Sequence, residues 1–157
     1  MSGDRLALIL AKQKQAHEQR TAALEEKRRR ELEKESRVQK LLEAWSDSQT
    51  TLRAVVAELN QAMQANGVSL RHREETSLAG LRRSAEISYD QPQEYVSMGL
   101  SLRLYLSSQG VLTVAIVGMG RPIKNEKIKL ADFVEEVQRA WLLDFLEATA
   151  DAEAGER

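Results

Sequence analysis

The sequence predicts an α+β protein with a long N-terminal helix, an antiparallel β-meander of three to four strands and a C-terminal helix, packed in two layers. Three observations predict it. Neither Gly nor Pro interrupts the chain from Asp4 to Asn66. After Gly67 the apolar residues switch from a helical period to a period of two. After Leu130 a second helical stripe begins.

The first segment is rich in Ala, Leu, Glu, Gln, Lys and Arg, the residues that lose least on entering a helix. Taken as one helix it is about 95 Å long, longer than any domain this chain makes, so part of it is expected to project or to meet another chain. Within it, Val38, Trp45, Leu52 and Leu59 recur every seven residues, and Leu41, Val55 and Ala62 fill the neighbouring seam. Leu42, Val56 and Met63 widen the stripe beyond a two-position coiled-coil seam, as expected of a helix lying on a sheet or a second helix. Ser46-Asp47-Ser48 carries cap-type residues and is expected to kink or restart the helix. Asn66-Gly67 stops it, because Gly accepts the left-handed conformation that ends helices.

Residues 1–37 read differently. Leu6, Leu8, Ile9 and Leu10 form a short apolar tip, and Ala11 to Arg37 is polar almost all round, with Leu24 and Leu32 as its large apolar residues. Opposite charges four apart (Glu25 with Arg29, Glu26 with Arg30, Glu33 with Arg37) support such a helix by about 0.2–0.5 kcal/mol each. This is the pattern of a charged helical arm.

Strand signals follow. Val68, Leu70 and His72 alternate with Ser69, Arg71 and Arg73. Leu81, Ala85, Ile87 and Tyr89 alternate with Arg82, Ser84, Glu86 and Ser88, with Arg83 the one misfit. The clearest strand places Met98, Leu100, Leu102, Leu104 and Leu106 on one face. Ser108-Gln109-Gly110 is a tight-turn sequence that returns the chain as Val111 to Met119. That strand is apolar on both faces, the mark of a central strand or of an outer face that meets a neighbour. Gly118-Met119-Gly120-Arg121-Pro122 is expected to end the sheet. Asp132 and Glu135 then stand at capping-box spacing, ahead of an inner helix face of Phe133, Val134, Val137, Trp141, Phe145 and Ala148. The expected organisation is an arm over residues 1–37, a two-layer head over 38–150 and a disordered acidic tail over 151–157.

Composition narrows the function classes. Lys and Arg total 23 against 24 acidic residues, but the charge is uneven. Residues 1–67 hold 12 basic and 10 acidic residues, 68–129 hold 9 and 6, and 130–157 hold 2 and 8. An acidic C-terminal segment thus stands against a basic middle, within or between chains. There is no cysteine, which removes disulfides and thiolate chemistry. No apolar run reaches the roughly 18 residues of a membrane span, and Leu6–Leu10 is too short for a signal core, so a cytoplasmic location is expected. Aromatics make up 4%, against a base-stacking platform.

Catalytic signatures are missing. His17 and His72 lack ligand spacing, and Gly118-Met119-Gly120 lacks the third glycine and the helix of a phosphate cradle. Glu74-Glu75 and Glu135-Glu136 are adjacent, so their side chains diverge. No enzyme, metal or cofactor is expected. The expected function is assembly or adaptor work with a protein partner, itself (a homodimer) or a larger complex. Val38, Leu41, Trp45, Leu52, Val55 and Leu59 form the helix stripe, and Leu6, Ile9, Leu10, Val111, Val117 and Met119 are interface candidates. The alternative is nucleic-acid binding through Lys27–Arg30 and a sheet face of Arg71, Arg73, Arg82 and Arg103, which would take phosphate or an acidic partner. The order long helix, antiparallel strands, helix over residues 38–150 is similar to that of the YbaB-type small nucleoid-associated proteins, which dimerise and bind DNA. The resemblance lies in that element order alone; no signature residues carry it, the long arm departs from the pattern, and it is not evidence of DNA binding.

Overall fold

The computed structural model describes residues 2–76, 82–90, 99–118 and 121–155. Helix α1 runs from Ser2 to Met63, followed by a 3-10 turn, Gln64–Asn66. Strands β1 (Ser69–Thr76), β2 (Arg83–Asp90), β3 (Ser101–Leu106), β4 (Val111–Gly118) and β5 (Arg121–Lys129) follow, then a 3-10 turn, Leu130–Asp132, and helix α2 (Glu135–Gly155). The chain divides into two units, residues 1–40 and 41–157.

The first unit is helical from Ser2 onward, and none of its described side chains is buried. Charge pairs along its surface support it: Arg30 reaches Glu26 at 2.8 Å, and Arg29 spans Glu26 and Glu33 at 3.9 and 4.0 Å. Exposed pairs of this kind contribute at most about 1 kcal/mol each.

The second unit is the α+β head. Its five strands form an antiparallel meander in the order β1-β2-β3-β4-β5. One face carries Leu70, Ile87, Leu102, Leu104, Leu112, Val114 and Ile116 into the core, as the period-two pattern requires. Trp45, Leu52, Val55 and Val56 of α1 and Trp141, Leu142 and Phe145 of α2 complete the same core. Each large side chain removed from water contributes about 1.5–3 kcal/mol. Helix α1 sits toward β1, where the Gln49 side chain meets His72 at 2.7 Å and Arg53 pairs with Glu74 at 2.9 Å. Helix α2 sits toward β5, where Lys124 pairs with Asp144 and lies 4.3 Å over the Trp141 ring. The helices meet through Gln138 Nε2 donating to the Ser48 carbonyl at 3.1 Å and Arg139 pairing with Glu58 at 2.7 Å.

The structure corrects several expectations. There are five strands, not three or four, because Arg121-Pro122 opens β5 instead of ending the sheet. Ser46-Asp47-Ser48 does not restart the helix: Ser48 Oγ donates to the Trp45 carbonyl, and Thr50 and Thr51 donate to Ser46 and Asp47. These hydroxyls bond back into their own helix. Ala62, expected in the seam, is exposed. Asp132 lies inside the 3-10 turn and α2 starts at Glu135, so the two do not form a capping box. Helix α2 continues to Gly155, which makes residues 151–155 helical. The expected turns do occur. Gly67 ends the first helical stretch at φ 70°, and Gly110 (φ 80°) closes the β3–β4 hairpin with its N–H donating to the Ser107 carbonyl.

Candidate interaction surfaces

The stripe residues divide between the units. Trp45, Leu52 and Val55 are buried, and Leu41 and Leu59 are half-buried against the core. Val38 falls in the first unit. The tip residues Leu6, Ile9 and Leu10 are 56%, 44% and 54% exposed, and Leu24 and Leu32 are exposed as well.

Arg71, Arg73, Arg103, Val111 and Val117 lie on the outer face of the sheet, opposite the face that carries the core. Cross-strand register defines its rows. Arg73, Glu86, Arg103, Ala115 and Asn125 form one row across the five strands; Glu75, Ser84, Tyr105, Thr113 and Lys127 form the next. Arg71 and Ser88 lie beyond the first row, and Val111 pairs with Lys129 beyond the second. Val111 and Val117 both point to this face and are half-buried. Strand β4 is fourth of five and hydrogen-bonded to β3 and β5 on its two sides, an interior position of the kind its two apolar faces predict. Arg82 is exposed one residue before β2 and so lies outside the strand rows. Met119 lies outside the described residues.

Charge on this face is compensated unevenly. Arg71 is held by Asp90 at 2.8 Å, and Arg73 by Glu75 at 3.2 Å and Glu86 at 3.9 Å. The β1–β2 half is therefore close to neutral. Arg103 donates from Nε to the Ser101 hydroxyl at 3.1 Å. Among the described residues no carboxylate pairs with Arg103, Lys127 or Lys129. Arg103 stands in register opposite Glu86, so the β3–β5 half carries Lys127 and Lys129 as its cations without a paired described carboxylate, beside half-buried Val111 and Val117 with Ala115 buried between them. The four arginines named from sequence do not form one cluster: two are neutralised, one lies outside the strand, and one stands opposite Glu86. Lys127 and Lys129 were missed because β5 was missed.

Inside the head, burial lowers the pKa of His72, the Arg53 charge lowers it further, and Glu74 opposes both. No group of three His, Cys, Asp or Glu among the described residues is placed to hold a metal ion. No described helix is long and apolar enough to cross a membrane. No protein-family model, curated protein or solved structure matches the chain.

Proposed function

We propose that the protein is a non-catalytic assembly or adaptor protein of the cytoplasm, whose helical arm pairs with a second copy or a larger complex while the α+β head supplies a further docking face. One observation carries this reading. The first unit is a single helix that buries none of its described side chains yet exposes Leu6, Leu8, Ile9 and Leu10 within one and a half turns. A helix without a packed face draws little stability from its own chain, and clustered exposed apolar residues mark contact surfaces. The nucleic-acid reading has less support. Arg71 and Arg73 are held by carboxylates, and Glu26 takes up Arg30, so few phosphates would be neutralised.

Light scattering across a range of concentrations tests the proposal. The expected result is a mass above that of one chain, reduced toward one chain by Leu6→Lys with Leu10→Lys. A strict monomer throughout would overturn it.

A further inference from the structure

The two faces of the head differ in kind, and each supplies what the other lacks. The outer sheet face has exposed Lys127 and Lys129, with no described carboxylate paired to either, beside the half-buried Val111 and Val117 of β4. The outward side of α2 has Ala140, Leu143 and Ala150 exposed, bordered by Glu136, Glu147 and Asp151. Leu143 alone is 50% exposed. The acids of that border are also uncompensated: the one basic residue of α2 among the described residues, Arg139, is committed to Glu58 and Glu135.

We propose that the outer sheet face over β3–β5 receives helix α2 of a second copy of this chain. Spacing supports the match. Lys127 and Lys129, two residues apart on β5, are separated by about 6.8 Å. Glu147 and Asp151, four apart on a helix, are separated by about 6 Å. With Glu147 and Asp151 set on these lysines, Leu143 falls one helical turn further along, at the row of Ala115 and Asn125 and short of Val117. The ion pairs then stand at one end of the contact and the apolar side chain at the other, so charge fixes the direction in which the helix lies and burial of Leu143 adds to it. The small Ala140 and Ala150 let the helix approach the strands.

The sheet face and the outward side of α2 lie on opposite sides of the two-layer head, so the contact is head-to-tail. Such a contact uses different patches on the two partners and propagates unless a rotation closes it into a ring. The rim charges make it salt-sensitive. This inference rests on the assembly reading above and names one contact within it.

The test uses the full chain in sedimentation at about 50 mM and about 500 mM salt, with circular dichroism confirming that each variant is folded. K127E/K129E and E147K/D151K are each expected to weaken self-association about tenfold or more at low salt. The fourfold chain K127E/K129E/E147K/D151K is expected to recover it, because both charged partners have been exchanged. Unchanged association in the first two variants, or no recovery in folded fourfold chain, overturns the contact. If association is instead lost with Leu6→Lys and Leu10→Lys, the arm reading stands without it. A wild-type chain that is monomeric throughout removes both. Binding of an oligonucleotide duplex that K127E/K129E abolishes while self-association is unaffected also overturns the contact and assigns the cations to phosphate.

Discussion

The side-chain amide of Asn60 closes the edge of the sheet at Leu70. Its Oδ1 accepts from the Leu70 N–H at 2.7 Å and its Nδ2 donates to the Leu70 carbonyl at 3.0 Å. Strand β1 is an edge strand, and unpaired edge groups are a template for another chain. One residue of α1 here satisfies both backbone groups as a neighbouring strand would. Asn60→Ala is expected to destabilise the head by about 1–3 kcal/mol, since it removes two hydrogen bonds from a partly buried edge. Asn60→Asp keeps the acceptor but sets a carboxylate oxygen against the Leu70 carbonyl at a partly buried edge, so it should lower the chemical-denaturation midpoint at least as much.

The contact between His72 and Gln49 makes stability depend on pH. Gln49 Oε1 accepts, so the His72 ring is assigned with its proton on Nε2. Burial and the Arg53 charge hold the folded pKa below the unfolded value of 6.5. Below pH 6.5 the unfolded chain therefore binds more protons than the folded one, and stability falls as the pH drops toward the folded pKa. Above 6.5 this contribution is fully present. Unfolding curves at about pH 5 and pH 7.5 should show the wild type losing stability at the lower pH. The loss should be smaller in His72→Gln, which does not titrate.

Two leucines of α1 should respond differently to truncation. Leu52 is fully buried in the head, and Leu52→Ala should cost about 2–5 kcal/mol. Leu24 is 67% exposed in the first unit, and Leu24→Ala should change head stability by no more than about 0.5 kcal/mol. Urea unfolding monitored by Trp45 and Trp141, both in the core, reads the difference directly.

The β3–β4 hairpin depends on Gly110. At φ 80° it occupies a conformation that costs an L-residue about 1–2 kcal/mol. A Cβ added there would also stand 3.4 Å from Leu41 Cδ1. Gly110→Ala should lower stability by about that amount in thermal unfolding, whereas Gln109→Ala, exposed and beside it, should be nearly neutral.

Much of the head was legible from residue pattern. The β3 alternation, the Ser108-Gln109-Gly110 turn, the Gly67 stop and the two apolar helix stripes are local signals, and each corresponds to an element of the fold. Strand β5 was not legible. Its nine residues, Arg-Pro-Ile-Lys-Asn-Glu-Lys-Ile-Lys, hold two isoleucines five apart, a spacing that fits no period of two. The register shift between Ile116 and Val117 leaves Ile123 without a paired partner, and lysine and proline are what edge strands use to avoid pairing. One signal was available. The glycines and proline of Gly118-Met119-Gly120-Arg121-Pro122 are residue types that turns between strands use.

Periodicity and composition were sufficient for the helices, for β1 to β4 and for the two-layer class, because these depend on residues at most a turn or a hairpin apart. Which cations remain free did not follow from them. Arg71 is neutralised by Asp90, nineteen positions away, and Arg73 by Glu86, while Lys127 and Lys129 come to the outer face only once β5 takes its place beside β4. Nor did they reveal that Asn60 seals β1 or that Gln49 seats His72. Charge compensation and edge closure are set by cross-strand register and helix placement, which bring distant residues together; a repeat along the chain shows which side of an element is apolar but not what stands opposite it.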